Sequence, residues 1–166
     1  MKFPCYLSLL AALLAAPVWP HGSTADKPSK PHHPQAAEQE LFGREGDRAK
    51  VSRTIEVTMS DQMRYQPDRI TVRQGETIRL VIINSGRIMH ELVLGSEAEL
   101  KAHAEVMRKF PNMEHEAPHM AHVAPSQRQE IVWEFNRPGE FLFGCLIPGH
   151  FEAGMVGRIS VMPSRS

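Results

Sequence analysis

The chain has 166 residues, of which 42% are hydrophobic and 23% charged, which is typical of one small globular domain. Lys and Arg together number 19, as do Asp and Glu, so the formal net charge is zero. No field of one sign is therefore expected, which argues against nucleic acid or an anionic membrane as a partner.

The first 25 residues are predicted to be a secretory signal peptide, with a basic start at Lys2, an apolar run over residues 7–16 and a small-residue cleavage site ending at Ala25. The apolar run is too short to span a bilayer, so we expect a periplasmic protein with no membrane span in its mature chain. Cys5 leaves with this peptide. Cys145 then remains as a single thiol, which excludes an internal disulfide.

Residues 26–50 are rich in Pro, Ala, Gln and charge and lack an apolar period, so they are expected to form a disordered or extended lead-in. The folded domain is expected over residues 51–163, which is enough chain for one hydrophobic interior. Strand-like stretches separated by turn residues occur at 53–59, 70–72, 78–83, 90–94, 129–135, 140–145 and 156–162. Seven short strands predict an all-β fold, an antiparallel Greek-key β-sandwich.

Strand alternation stops over residues 95–126, which we interpret as an insert between strands. Ser96 and Glu99 have the spacing of a capping box, and apolar residues follow at helical intervals as far as Pro111. This pattern predicts one helix of three or four turns. A loop rich in His and Met follows it.

Residue types that bind metals are concentrated in the last loop. Cys145, His150 and Met155 follow one another at five-residue intervals, with a Pro-Gly turn between the first two. His90 joins them because alternation along its strand places it on the same inward face as the leucines that follow. A thiolate, two imidazoles and a weak thioether suit an ion that cycles between Cu(I) and Cu(II), so we predict that these residues bind copper.

Other interpretations compete with copper. Taken singly, each of the four residues suits an ordinary packed position in a core. Structural zinc sites favour Cys and His without thioethers, which leaves Met155 without a role. A nucleophilic pair of Cys145 and His150 also leaves Met155 unexplained, and it has no evident orienting residue.

Longer phrases around these residues occur in a fixed order: Tyr65-Gln66-Pro67, Gly75-Glu76-Thr77, Asn84-Ser85-Gly86 and Pro138-Gly139-Glu140-Phe141-Leu142-Phe143-Gly144-Cys145. With them, residues 51–162 resemble the cupredoxins, the plastocyanin, azurin and auracyanin family of type 1 copper proteins. The resemblance implies that His90, Cys145 and His150 are equatorial copper ligands and that Met155 is the axial one. Family members usually have Asn directly after the first His, where it helps to tie down the Cys loop, and azurins have Gly before it. This chain has Glu91 and Met89 at these positions.

The insert supplies candidates for a second copper site, because four of the nine His and three of the nine Met lie between residues 103 and 122. Thioethers and imidazoles bind Cu(I), and imidazoles bind Cu(II), so the candidates are Met113, His115, His119, Met120 and His122. A second interpretation stays open. In it, the helix residues only pack against the sandwich and the later His residues are solvated.

A type 1 site accompanied by extra His and Met resembles the periplasmic cupredoxins associated with copper tolerance in proteobacteria. The resemblance covers residues 42–161 and implies a copper-binding protein with one-electron chemistry that serves copper tolerance. The alternative is a soluble electron carrier, whose redox partner docks on apolar surface near His150. A multicopper oxidase is disfavoured because the chain lacks the many paired His residues of a trinuclear cluster.

Overall fold

The structure, a computed structural model, describes residues 38–111, 113 and 115–164. The expected signal peptide, residues 1–25, and the expected lead-in as far as residue 37 lie outside the described residues. Within the described part, no helix combines the length and the apolar character needed to cross a membrane.

The described residues form eleven strands: β1 Gln39–Glu40, β2 Gly43–Glu45, β3 Val51–Ser60, β4 Arg64–Gln66, β5 Arg69–Arg73, β6 Glu76–Asn84, β7 His90–Gly95, β8 Met120–Val123, β9 Arg128–Phe135, β10 Gly139–Gly144 and β11 Val156–Met162. They also form one α-helix, α1 Glu97–Lys109, and a single 3-10 turn, Arg48–Lys50. Each of the seven predicted strands corresponds to one of these strands, with ends that differ by two residues or fewer.

The strands make two sheets, in the orders β1-β2-β9-β6-β3-β4 and β5-β11-β10-β7-β8. The predicted β-sandwich with one helix is confirmed. Most neighbouring strands are antiparallel, but β3 pairs with β6 and β11 pairs with β5 in parallel. Both sheets are therefore mixed. The alternation of apolar residues shows which face of a strand is buried, but it carries no information about strand direction.

The main core lies between the sheets and follows from the alternation of each strand. On β6 the inward side chains are Ile78, Leu80 and Ile82, each 1% exposed or less. On β7 the residues His90, Leu92 and Leu94 point the same way, as the sequence predicts, and all three are buried. One end of this core therefore contains an imidazole among apolar side chains.

The opposite face of β7 is also buried, because the insert covers it. Val93 joins a second apolar cluster with Leu100 and Met107 of α1 and with Leu146 of the Cys loop. The helix begins as predicted: Glu99 N–H donates to Ser96 Oγ at 3.3 Å, and Ser96 N–H donates to Glu99 Oε2 at 2.8 Å. The insert is thus packed directly against the strand that carries His90.

Two stretches expected to lack regular structure contain strands. In the expected lead-in, β1 and β2 join the sheet beside β9, and Phe42 between them is 3% exposed and stacks on Trp133. In the expected His/Met loop, β8 pairs with β7 at the edge of the second sheet. Both stretches are short edge elements whose stability comes from a partner strand distant in sequence, so local patterns do not predict them.

Candidate metal centre

The Cys loop is shaped by hydrogen bonds that bring its three predicted ligands back toward one another. Cys145 follows β10 and is fully buried. The predicted turn forms at Gly149, which has a φ of 89°, and His150 N–H donates to Ile147 O at 3.0 Å. Met155 N–H donates to His150 O at 3.0 Å, and Cys145 N–H donates to Met155 O at 3.1 Å. Backbone hydrogen bonds therefore close the loop on itself.

His90 completes the group from the neighbouring strand β7. One ligand atom from each of His90, Cys145 and His150 lies within 4.8 Å of the other two. Cys145 Sγ is 3.2 Å from His150 Nδ1, and the two imidazole centroids are 5.1 Å apart. Met155 is fully buried in the same loop. We call His90, Cys145, His150 and Met155 the inner site.

The orientation of the His90 ring is fixed from outside the inner site by Asp61. His90 Nε2 lies 3.1 Å from Asp61 Oδ1, while Asp61 Oδ2 accepts from Arg87 N–H at 2.8 Å. His90 Nδ1 is buried and has no hydrogen-bond partner among the residues that the structure describes. A buried nitrogen without a partner is costly unless something binds it. A metal ion beside Cys145 and His150 fits this nitrogen.

Burial also controls the protonation of the inner site. Desolvation raises the pKa of the Cys145 thiol to about 12. It lowers the pKa of His150, and the neighbouring His90 lowers it further. The Asp61 carboxyl, which accepts from Arg87 N–H and from His90, has a pKa below its usual value. In the absence of a metal, the inner site at neutral pH therefore holds a protonated thiol beside the neutral imidazole of His150, and a metal that binds the thiolate must displace that proton.

Glu91, which stands where the family usually has Asn, ties down the Cys loop by a different side chain. Its Oε1 accepts from Leu146 N–H at 2.7 Å, directly after Cys145. Its backbone carbonyl accepts from Tyr65 Oη at 2.6 Å. Burial raises the pKa of the Glu91 carboxyl, whereas His122 and the Leu146 N–H lower it. The longer side chain thus supplies the contact to the Cys loop that the resemblance assigns to Asn.

The predicted second set of ligands does not form one cluster. Met113, His115 and His122 line one cleft of about 620 Å³ beside the Cys loop. His119 lies elsewhere, with its ring 5.5 Å from Phe42 and 6.0 Å from Trp133. Met120 is buried in the apolar cluster beneath α1.

Two methionines that the sequence analysis did not select line the same cleft, Met89 and Met107. Met89 is adjacent to His90 in sequence and is 45% exposed, which is an unusual position for a large apolar side chain. Its position directly before His90 is the sequence signal that could have identified it. We call the cleft formed by Met89, Met107, Met113, His115 and His122 the outer cleft.

The architecture is that of the cupredoxins. It is a two-sheet β-sandwich in which a buried thiol lies beside two imidazoles at one end, in a loop that also carries a methionine. The chain belongs to the plastocyanin/azurin family of copper-binding proteins, whose family model matches residues 51–162. Family membership makes it a copper-binding protein rather than a classical enzyme.

Its relatives include two proteins called copper-resistant cuproprotein CopI. The one from Rubrivivax gelatinosus is 58% identical over 120 residues, which cover 72% of this chain and 73% of the relative. The one from Pseudomonas aeruginosa is 32% identical, over 84% of this chain and 90% of the relative. Among solved structures, reduced auracyanin from Roseiflexus castenholzii has a TM-score of 0.59 at 22% identity, covering 68% of this chain and 99% of auracyanin. This likeness supports the sandwich fold.

Proposed function

We propose that the chain is a periplasmic protein that serves copper tolerance by binding one type 1 copper ion at His90, Cys145, His150 and Met155. The observation that carries this proposal is the buried Nδ1 of His90, which has no partner among the described residues and lies in the same group as Cys145 and His150. Its relatives named copper-resistant cuproproteins support the tolerance role. The export signal expected over residues 1–25 supports the location.

The residues of the chain act by holding the four donors in place. Asp61 orients His90, Glu91 fixes the peptide after Cys145, and the loop hydrogen bonds set the separation of Cys145, His150 and Met155. A copper ion bound there supplies one-electron chemistry between Cu(I) and Cu(II). Because these contacts come from the protein itself, little has to move when the charge of the ion changes.

The outer cleft is proposed as a second copper site, with Met89, Met107, Met113, His115 and His122 as donors. Thioethers and imidazoles are the side chains that capture Cu(I), and this cleft collects both kinds. Binding at two places distinguishes a protein that handles copper from one that only carries electrons. His119 and Met120 are left out of this site because neither lines the outer cleft.

A second candidate function, a soluble electron carrier, is favoured by apolar surface near His150. Ile88 is 43% exposed and Met89 is 45% exposed, and Pro148 next to the turn is exposed as well. His150 itself is partly exposed. Such a patch around a ligand edge suits the transient docking of a redox protein.

The visible spectrum tests the inner site. We expect purified protein loaded with Cu(II) to show a strong sulfur-to-copper charge-transfer band, and Cys145→Ser to lose it. His119→Ala is the matched control, because it removes an imidazole outside both sites and should keep the band. A colourless wild-type protein would overturn the proposed type 1 site.

Copper stoichiometry separates the two candidate functions. We expect two tightly bound ions in the wild type and one in Cys145→Ser, which keeps the outer cleft. His115→Ala combined with His122→Ala should lose the second ion while the charge-transfer band stays. If the wild type binds only one copper ion, the tolerance role loses its physical basis, and the electron carrier is the function that remains.

A further inference from the structure

Glu91 is a buried carboxylate with partners on two sides. Its side chain is 2% exposed. One oxygen, Oε1, accepts from Leu146 N–H at 2.7 Å, and the other, Oε2, lies 3.0 Å from His122 Nδ1. A single side chain therefore joins the peptide that follows Cys145 to a histidine of the outer cleft.

The pairing of β7 with β8 explains this position. Glu91 lies opposite His122 in the register, while His90 lies opposite Val123. Residues directly opposite on antiparallel strands share a face of the sheet and contact one another. Since successive residues of a strand face opposite ways, His90 points to the inner site and Glu91 to the outer cleft.

At the outer end, Glu91 determines which nitrogen of His122 faces away from the carboxylate. Glu91 Oε2 accepts from Nδ1–H, so Nε2 is the nitrogen that could reach a metal, as in many metal sites that pair a carboxylate with a histidine. In the structure Nε2 contacts His115 O at 3.2 Å, and a metal that binds Nε2 must replace this contact. The Nε2 of His115 is buried and lacks a partner in the described part of the chain, and its ring lies 4.7 Å from that of His103. Imidazole nitrogen therefore converges on the cleft from two residues, His115 and His122.

At the inner end, Glu91 holds the start of the Cys loop. The Leu146 N–H belongs to the peptide bond that Cys145 begins, so the position of this hydrogen bond sets the direction in which the chain leaves the sulfur. Leu146 itself is 1% exposed and packs beneath α1. A shift of the Glu91 carboxylate is therefore transferred to the tightly packed Leu146, which directly follows Cys145.

We propose that Glu91 is a positioning residue shared by both sites, through which a cation bound at His122 raises the reduction potential of the copper held by Cys145. The inference rests on the proposed function of the inner site. The direction follows from charge, because an added cation favours the less positive Cu(I) state of its neighbour. It also withdraws the carboxylate from Leu146, which adds to the same shift. A loaded outer cleft thus makes the inner copper a stronger oxidant.

A redox titration with Ag(I) tests this coupling, because Ag(I) prefers the same soft donors as Cu(I). We expect Ag(I) to shift the midpoint potential of the copper-loaded wild type to a higher value while the visible band keeps its intensity. Glu91→Asn should bind copper and show a smaller shift, because the through-space effect of the added charge remains, while the shorter side chain retains an acceptor for Leu146 but does not reach both partners. His119→Ala should respond like the wild type. An equal shift in Glu91→Asn and in the wild type would overturn the coupling.

A double-mutant cycle tests the link without a metal in the outer cleft. His122→Ala should change the midpoint potential in the wild-type background and leave it unchanged in the Glu91→Asn background. Additive effects of the two substitutions contradict the proposal.

The amide proton of Leu146 gives a reading that needs no copper. In the metal-free protein its NMR chemical shift should move in His122→Ala and stay in place in His119→Ala. If the wild type lacks the charge-transfer band, the type 1 site has failed, and this amide shift still decides whether Glu91 links the two ends. An unmoved Leu146 amide in His122→Ala overturns the link whatever the metal content.

Discussion

Asp61 and Glu91 each hold one imidazole in place, but they do so at opposite faces of β7. Asp61 contacts Nε2 of His90, which leaves Nδ1 directed away from the carboxylate. Glu91 contacts Nδ1 of His122, and Nε2 on the other side of the ring contacts His115 O. Carboxylates in such positions fix the ring and its tautomer, and their removal weakens metal binding without removing a ligand.

Removing the Asp61 carboxylate is expected to weaken copper binding at the inner site. In Asp61→Ala the affinity for copper should fall by about 10- to 100-fold, because the His90 ring loses the contact that orients it. Competition with a chelator of known affinity measures the change. Asp68→Ala removes an exposed carboxylate just before β5 and should bind copper like the wild type. Equal affinities for Asp61→Ala and the wild type would show that packing alone orients His90.

Copper binding at the inner site is expected to release a proton from Cys145. The thiol pKa is raised to about 12, so the metal-free protein keeps this proton throughout the neutral range. The pKa of His150 is lowered, so that residue contributes little above pH 7. Between pH 7 and 8, Cu(II) binding should release about one proton, and the affinity should fall by about tenfold for each unit that the pH is lowered. A pH indicator in weak buffer measures the release, which Cys145→Ser should abolish.

At the residue scale, the sequence selected the four residues of the inner site, and the structure brings ligand atoms of His90, Cys145 and His150 within 4.8 Å of one another. Cys145, His150 and Met155 are close along the chain, and strand parity added His90. Asp61 was not selected, because its contact with His90 joins residues 29 apart and no local pattern records it. Met107 was interpreted only as a packing residue of the helix, since helical spacing does not show which cleft a helix end reaches.

At the scale of elements, α1 and the Cys loop form one packed unit. Leu100 is 1% exposed and lies in the cluster that includes Leu146. A Cβ atom added to Gly144, the residue before Cys145, would lie 3.7 Å from Leu100 and 2.9 Å from Phe151. The helix therefore packs against the end of β10, directly before the residue that carries the thiol.

Truncating Leu100 is expected to destabilise this unit. Leu100→Ala should lower the free energy of unfolding by about 2–5 kcal/mol, the usual cost of removing a buried leucine side chain and leaving a cavity. Urea denaturation of the metal-free protein measures it. Val106→Ala, on the same helix but 40% exposed, should change the stability by less than about 1 kcal/mol. If both substitutions cost the same, α1 is not anchored through Leu100.

The capping box and the helical spacing were sufficient to predict α1 within the insert. They were not sufficient for β8, whose four residues follow a stretch without regular structure. Only the pairing with β7 makes Met120–Val123 a strand, and that pairing spans about thirty residues. The five candidate ligands of the insert are divided between the outer cleft, the apolar cluster beneath α1 and the neighbourhood of Phe42. Alternation does not explain this division, because Met120 and His122 share a face of β8.

At the scale of the molecule, apolar alternation predicted the number of main strands and the two-layer arrangement. It did not predict the sheet order or the two parallel pairs, which depend on contacts between distant strands. Residues 39–45 were assigned to the lead-in because their composition is polar. The single side chain of Phe42 nevertheless fits against Trp133, whose Nε1–H donates to Phe42 O at 3.1 Å.

The whole sandwich is expected to fold without copper and to gain stability when copper binds. Because the two sheets enclose an apolar core of their own, far-UV circular dichroism of the metal-free and loaded proteins should superimpose. Binding should add about 2.7 kcal/mol when free copper is a hundredfold above Kd, which raises Tm. Calorimetry measures this rise, and Cys145→Ser should lose the part due to the inner site. A metal-free protein that lacks β-sheet signal would show that the metal drives folding.

The register of β10 and β11 has a further consequence for how such proteins diversify. Gly144 faces Val156 across the hairpin, so the eleven residues from Cys145 to Met155 lie wholly outside the ladder of paired strands. Residues can be inserted or deleted there without sliding either strand. The spacing of Cys145, His150 and Met155 can therefore change with the length of this loop. His90 keeps its position on β7 when it does.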